Sequence, residues 1–434
     1  MSELLIAAYE QRVMGRVLRT RQGKLSFVYD EAWRATRGAF PLSLALPLAA
    51  AEHPSAPIEA YLWGLLPDNE AVLERWARRF QVSARNVFGL LAEVGEECAG
   101  AVQFVREERW EMLREESAPR IDWLEEKDLE QRLRALREDH AASRRLGDAG
   151  QFSLAGAQPK TALFHDGARW GIPAGRTPTT HILKPPTGEF DGHAENEHFC
   201  LALARSLGLP AAHSRVVRFG GEVAIAVERY DRARLPDGRV VRLHQEDLCQ
   251  ALGVPPLRKY ESEGGPGIRA IHALLRESSS KPEEDARTFV DALLFQWLIA
   301  GTDAHAKNYA LLHAPGPRVR LAPLYDLASA LPYPQQIDAY RASLAMKVGG
   351  KAALREIGPK QWTSCATELG LAPRELLARG AEQAERLVAR AFEIRDALVR
   401  EGLEHPLVPR LAEALVARAE DRAAVLRAAL QVGA

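Results

Sequence analysis

The sequence predicts an α+β fold, and three observations carry that reading. Short strand-like apolar runs punctuated by Gly and Pro recur up to about residue 228. Beyond that point helical patterning dominates, most densely over 360–434, which is rich in Ala, Leu, Arg and Glu without a repeat or low complexity. The third observation is a spacing: Asp303, then Asn308 five residues on, then Tyr325-Asp326, with Asp326 18 residues after Asn308. That is the layout of a kinase catalytic loop and metal loop. Together the three predict a bilobal protein-kinase-like fold with an N-terminal α/β domain and a mostly helical C-terminal lobe. The Asp-x-His-x-x-Asn order also resembles lipid kinases, so the fold is read as lipid-kinase-related.

Residues 1–110 are expected to form the N-terminal domain. Within it Leu4-Leu5-Ile6-Ala7-Ala8-Tyr9 and Leu25-Ser26-Phe27-Val28-Tyr29 read as strands, and the segments around 70–76 and 87–91 as helices. The stretch 106–145 is rich in Arg and Glu, and 111–145 reads as a charged helical connector with a solvated face. Residues 146–228 hold the next strands, and 229–434 form the helical lobe.

Phe152 to Phe164 reads as a small-residue turn, with Ser153-Leu154-Ala155-Gly156-Ala157 running into a strand. Such a turn lets backbone N–H groups approach phosphate oxygens, although many are simply turns. Thr180 to Pro186 reads as a short strand ending in Lys184, a residue able to pair with the α- and β-phosphates of ATP or to stay solvated. Glu195 to Pro210 reads as an amphipathic helix with Gly208 as its stop. Glu197 in its first turn could hold Lys184 or complement the helix dipole.

Glu222 to Arg232 reads as a buried strand entering a polar stretch, where backbone groups at Glu228 and Tyr230 could meet an adenine edge. The apolar run from Phe289 to Ala300 reads as a buried helix that stops at Gly301 and delivers the Asp303 loop. Tyr309 to His313 and Val319 to Leu324 read as a hairpin leading to Asp326. Phosphoryl transfer asks mainly for position and charge compensation, so base and metal ligand must project from one rigid turn. Asp and Asn also cap ordinary turns. Here, however, loop, lysine strand, glutamate helix, hinge strand, catalytic loop and metal Asp occur in the required order, making 146–228 a nucleotide-binding lobe and 229–434 a catalytic lobe.

Ser153-Leu154-Ala155-Gly156-Ala157-Gln158, His181-Ile182-Leu183-Lys184, Val227-Glu228-Arg229-Tyr230-Asp231-Arg232, Gln245-Glu246-Asp247, Lys259-Tyr260-Glu261 with Gly264-Gly265-Pro266-Gly267-Ile268, Thr302 to Asn308, and Tyr325-Asp326 with Ser329 closely resemble the HipA family. These are bacterial serine/threonine kinase toxins linked to persistence. Pro41-Leu42-Ser43-Leu44, Gly64-Leu65-Leu66-Pro67 and Ala99-Gly100-Ala101-Val102 are similar to the family's N-terminal domain, so the resemblance spans nearly the whole chain.

The resemblance implies Asp303 as catalytic Asp, Lys184 as the phosphate-binding lysine, Asn308 and Asp326 as Mg²⁺ ligands, and His305 beside the phosphates. Ser153, Leu154, Ala155 and Gly156 would line the nucleotide, Glu228 and Tyr230 would flank the adenine, and Ser153 would be an autophosphorylation site. It further implies ATP and Mg²⁺, a helix-turn-helix antitoxin of HipB type, DNA contact only through that antitoxin, and a protein target such as glutamyl-tRNA synthetase. Tyr230 departs from the apolar aromatic common there, and Pro159 and Pro185 stiffen segments near the nucleotide.

Bulk properties agree. At 434 residues and 47% apolar content the chain can fill several cores. A net charge of −1, from 57 basic and 58 acidic residues, argues against autonomous nucleic-acid binding. Cys98, Cys200, Cys249 and Cys365 form no C-x-x-C pair and are expected as buried free thiols. No signal peptide is read at the start, and the longest apolar stretch is broken by Asp291 and Gln296, so a cytoplasmic enzyme without membrane association is expected. Two other classes fit the motif less completely. A metal-dependent hydrolase could use Asp303, His305, His313 and Asp326, and a kinase could act on a small molecule or lipid. A catalytically dead binding module is disfavoured by the intact Lys184, Asp303, Asn308 and Asp326.

Overall fold

The computed structural model describes residues 3–116, 118–139, 153–188, 190–316, 318–338 and 340–432. Phe152 and the expected start of the nucleotide lobe at 146 lie outside the described residues. The chain forms two compact units: Met1–Pro185 with Val217–Arg258 and Ala310–Arg320, and Pro186–Val216 with Lys259–Tyr309 and Leu321–Ala434.

The first unit opens with a five-stranded sheet. Its strands β1 (Glu3–Tyr9), β2 (Arg12–Arg19), β3 (Leu25–Tyr29), β4 (Glu52–His53) and β5 (Val102–Val105) lie in the order β4-β3-β2-β1-β5. All the pairings are antiparallel. Helices Ser55–Gly64, Glu70–Phe80 and Val87–Val94 bury Tyr61, Trp76 and Phe88 against Met14, Phe27 and Phe104. Asn69 and Asn86 cap the latter two helices through side-chain oxygens, which explains where each begins.

A six-stranded sheet follows: β6 (Arg120–Trp123), β7 (Thr161–His165), β8 (Trp170–Ala174), β9 (His181–Lys184), β10 (Ser214–Phe219) and β11 (Glu222–Glu228), in the order β10-β11-β9-β7-β8-β6. The charged stretch expected to be a connector contributes β6, which pairs with β8 from Arg120↔Ala174 to Trp123↔Gly171. Its helix Glu126–Glu138 also buries Leu129 and Leu133 against Leu163, Leu183, Ala224 and Ala226. A stripe of leucines at helical spacing is enough to anchor a helix whose other faces are charged.

The remaining strands of this unit come from residues expected in the helical lobe: β12 (Arg232–Arg234), β13 (Val240–Arg242), β14 (His244–Asp247), β15 (Ala310–Ala314) and β16 (Arg318–Leu321). The expected hairpin is present as β15 and β16, and β14 completes a sheet ordered β14-β15-β16. This unit also holds a buried charge cluster. Glu97 accepts from Arg229 (3.3 Å), Arg232 (2.8 Å) and Arg242 (2.5 Å), while Asp231 accepts from Arg229 at 2.7 Å and from the Gly100 N–H at 2.8 Å. Burial alone would raise the Glu97 carboxyl, but the Arg232, Arg242 and Arg229 guanidiniums hold it far below the ordinary carboxylate range.

The second unit is mostly helical. Helix His193–Ser206 is buried from Ala194 to Leu201 on every face, so the amphipathic stripe read from its sequence is replaced by specific polar pairing. Asn196 donates to the Ser329 carbonyl (2.8 Å) and accepts from the Ser329 N–H (3.0 Å), and His198 Nδ1 meets Ser214 Oγ at 2.9 Å. Helix Pro282–Ile299 runs through the centre, with Trp297 edge-on to Trp362 at 5.7 Å. A Cβ on Gly380 would lie 3.2 Å from both Leu294 and Leu426, so this glycine sets how tightly helix Pro373–Arg400 packs on Pro282–Ile299 and Leu407–Val432. All four cysteines are free and buried, and among the described residues no helix is long and apolar enough to cross a membrane.

Two buried histidines give the fold an acid limit. Burial lowers His198 from 6.5 to about 4, and burial together with the neighbouring His313 lowers His244 from 6.5 to about 3. Below 6.5 the unfolded chain takes up protons that the folded chain refuses, so stability falls with falling pH until those lower values are reached. At pH 5 the loss is about 2 kcal/mol per histidine. Urea midpoints measured at pH 7 and pH 5 are expected to drop accordingly, and His244→Gln, which keeps a donor for the Leu42 carbonyl, to reduce the drop.

Candidate functional site

In the first unit the small-residue turn is fastened to the N-terminal domain. Ser153 is fully buried; its Oγ donates to the Leu65 carbonyl and its N–H to the Glu97 carbonyl, each at 2.8 Å. Leu154 packs with Ala162 and Ile182. Lys160 Nζ donates to the Ala155 carbonyl at 2.7 Å. Gly156 has φ +99°, pairs in parallel with Pro67, and accepts from the Asp68 N–H at 3.3 Å. The conformation there favours glycine, and a Cβ would also have to displace Lys160 Nζ, 2.5 Å away.

Lys184 ends β9, buried and opposite Ile225 of β11. Glu228, exposed, ends β11 opposite His181, and Tyr230 follows with its hydroxyl bonded to the Gln245 side chain. The residues flanking Tyr230, Arg229 and Asp231, belong to the buried charge cluster, which anchors the expected hinge from within.

In the second unit, helix Pro282–Ile299 stops just ahead of Gly301, as its sequence predicts. The cap itself, Ala300, is left-handed (φ 53°), at a cost of about 1 kcal/mol, and a Cβ on Gly301 would have to push the Gln296 side-chain amide aside. The turn that follows is locked by its own backbone. The Asp303 carbonyl accepts from the His305 N–H (2.8 Å) and from Asn308 Nδ2 (2.6 Å), and the Asn308 N–H donates to the His305 carbonyl (2.9 Å).

The Asp303 side chain remains 67% exposed. Its Oδ1 accepts from the Tyr260 hydroxyl at 2.6 Å, and buried His305 lies edge-on to Tyr260 at 4.9 Å with Nε2 3.9 Å from the same oxygen. Asp326 has a left-handed backbone (φ 52°), and its neighbour Tyr325 donates to the Lys307 carbonyl at 2.6 Å. The Tyr325 hydrogen bond thus joins the Asp326 segment to the Asp303–Asn308 turn.

These donors fit Mg²⁺. With Nδ2 committed to the turn, Asn308 has Oδ1 for a cation, and Asp326 adds a carboxylate; Mg²⁺ takes few protein oxygens and completes its shell with water and phosphate. Among the described residues no group of three or more His, Cys, Asp or Glu forms a protein-only metal cage. His313, a ligand in the hydrolase reading, lies in the first unit, where its Nε2 is 2.8 Å from the buried Glu246 carboxylate. A substitution at His313 would disturb this buried polar pair.

An α+β chain with a strand lysine, a glycine-containing loop and this Asp-x-His-x-x-Asn turn belongs with the kinases. Residues 5–105 match the HipA N-terminal domain and residues 152–391, more than half of the chain, the HipA-like C-terminal domain. The chain is 37% identical to Y4mE of Sinorhizobium fredii over 84% of this chain and 85% of that one. It is 30% identical to the serine/threonine-protein kinase toxin HipA of Shewanella oneidensis over 84% and 82%. A solved structure of Shewanella oneidensis HipA with HipB and operator DNA superposes with a TM-score of 0.81 at 26% identity, covering 98% of this chain and 99% of that one. The chain belongs to the HipA family.

Two residues of consequence carried no signal in spacing. Glu97 reads in sequence as one more surface acid, and Tyr260 lies in a segment, Lys259-Tyr260-Glu261, to which motif reasoning gave no role. Glu97→Gln would leave three buried guanidiniums short of their counter-charge, and removing one partner of such a network costs about 3–5 kcal/mol. Denaturant unfolding of this variant is expected to show that loss.

Proposed function

We propose that this chain is an ATP- and Mg²⁺-dependent serine/threonine protein kinase and the toxin of a toxin–antitoxin pair. The observation carrying the reading is the 303–308 turn, in which an exposed carboxylate and an amide oxygen project from a backbone fixed by hydrogen bonds through the Asp303 and His305 carbonyls. The substrate hydroxyl oxygen forms a bond to the γ-phosphorus, the bond from that phosphorus to the β,γ-bridging oxygen breaks, the hydroxyl proton passes to Asp303, and ADP leaves. Lys184 pairs with the α- and β-phosphates, with Ser153-Leu154-Ala155-Gly156 and His305 near them, while Glu228 and Tyr230 meet the adenine. Asn308 and Asp326 would hold Mg²⁺, which when bound offsets phosphate charge.

With γ-³²P-labelled ATP, Asp303→Ala and Asp326→Ala are each expected to lower label transfer to protein by about 100-fold or more. Near wild-type transfer by either variant would refute its assignment. The partner proposed is an antitoxin of HipB type, in keeping with the HipA–HipB–operator complex of the Shewanella relative. DNA contact through that partner suits a chain with a net charge of −1. The target proposed is a protein, glutamyl-tRNA synthetase being the first to test by phosphoproteomics beside Asp303→Ala.

Autophosphorylation of Ser153 is the proposed self-inactivation. The serine hydroxyl is fully buried against the Leu65 carbonyl, an acceptor that would repel a phosphate. A group of roughly −1.5 to −2 charge could not stay there, so the loop would leave residues 65–68 and its phosphate-binding shape. Intact-mass analysis after incubation with Mg-ATP is expected to reveal the modified form, and nucleotide titration of the separated forms a weaker affinity for it. Equal affinities would refute the mechanism.

A further inference from the structure

We propose that Tyr260 is a positioning residue for the Asp303 carboxylate, an inference that rests on the kinase reading of Asp303. With two-thirds of its surface exposed, an unassisted Asp303 side chain would sample several rotamers. The Tyr260 hydroxyl donates to Oδ1 at 2.6 Å, which selects one of them and leaves Oδ2 for an incoming substrate hydroxyl.

The phenol is itself held. The Tyr260 carbonyl accepts from the N–H groups of Glu263 and Gly265, each at 3.0 Å. The Lys259 carbonyl accepts from the Ala306 N–H at 3.3 Å, so the segment is tied by backbone to the turn that carries Asp303. On the next residue, the Glu261 carboxylate accepts from the Lys347 N–H at 2.6 Å. The ring stands nearly perpendicular (85°) to buried His305, which fixes its plane. Anchored backbone, fixed ring and a short hydrogen bond make a rigid strut, and rigidity at the accepting oxygen is what an in-line transfer requires.

Tyr260→Phe keeps the ring against His305 and removes only the strut's last atom. It is expected to lower kcat for protein phosphorylation by about 10- to 100-fold with KM for ATP unchanged within about two-fold, since Tyr260 acts on the proton acceptor and not on nucleotide binding. Wild-type kcat in Tyr260→Phe would overturn the proposal, and so would a parallel rise in KM for ATP, which marks a general disturbance of the site. Should the phenylalanine variant fail to fold, Tyr260→Leu is read by the same split. Asp303→Ala measured alongside separates the two claims: wild-type transfer by that variant sinks the role of Asp303, whereas an inactive Asp303→Ala beside an unimpaired Tyr260→Phe sinks only the role of Tyr260.

Discussion

Glu97 is a carboxylate almost without access to water, and three guanidiniums converge on it. Each arrives from a different stretch: Arg229 from the end of β11, Arg232 from β12 and Arg242 from β13. Thr179, just before β9, adds its N–H and hydroxyl. Such a site stabilises only when complete, because each buried ion has lost hydration that its partners must replace. The first unit therefore cannot place the end of β11 without also placing the segment after helix Val87–Val94. The same residue's carbonyl takes the Ser153 N–H, so the start of the small-residue loop is positioned by the backbone of the ion that organises the end of β11.

The second unit solves a similar problem with neutral groups. The Asp303 carbonyl gathers the turn, and Tyr325 couples it to the segment ending in the left-handed Asp326. Left-handed backbone at Ala300 and Asp326, neither of them glycine, brackets the turn on both sides. Strain of about 1–3 kcal/mol at such positions persists only where surrounding packing enforces it. Here the buried helix Pro282–Ile299 and the Ala300 carbonyl's bond from the Ala330 N–H supply that enforcement.

Much of this could be read from the chain. The strand ending at Lys184, the strand ending at Glu228, the helix before Asp303 and the hairpin before Asp326 are local patterns of apolar period and punctuation, and all were legible. What escaped depends on partners far along the sequence. The Tyr260 bond spans 43 residues and the Arg242–Glu97 bond spans 145. Nothing local distinguishes those side chains from ordinary solvated ones. Helix His193–Ser206 was misjudged for the same reason, since its polar residues are buried by pairings with Ser214 and Ser329 and not by its own periodicity. The stop ahead of Gly301 is legible, whereas nothing local puts the left-handed cap on Ala300.

Strand β6 changes what counts as a folding piece of this chain. The C-terminal family match begins at residue 152, after β6 and helix Glu126–Glu138. A chain started there would expose β8 as an unpaired edge and uncover the apolar face formed by Leu163, Leu183, Ala224 and Ala226. An open edge beside a bare hydrophobic face is a template for intermolecular pairing. The C-terminal match alone is therefore shorter than the piece that keeps this sheet edge and its apolar face covered, and the difference includes four residues of strand and a 13-residue helix written in a mostly charged alphabet.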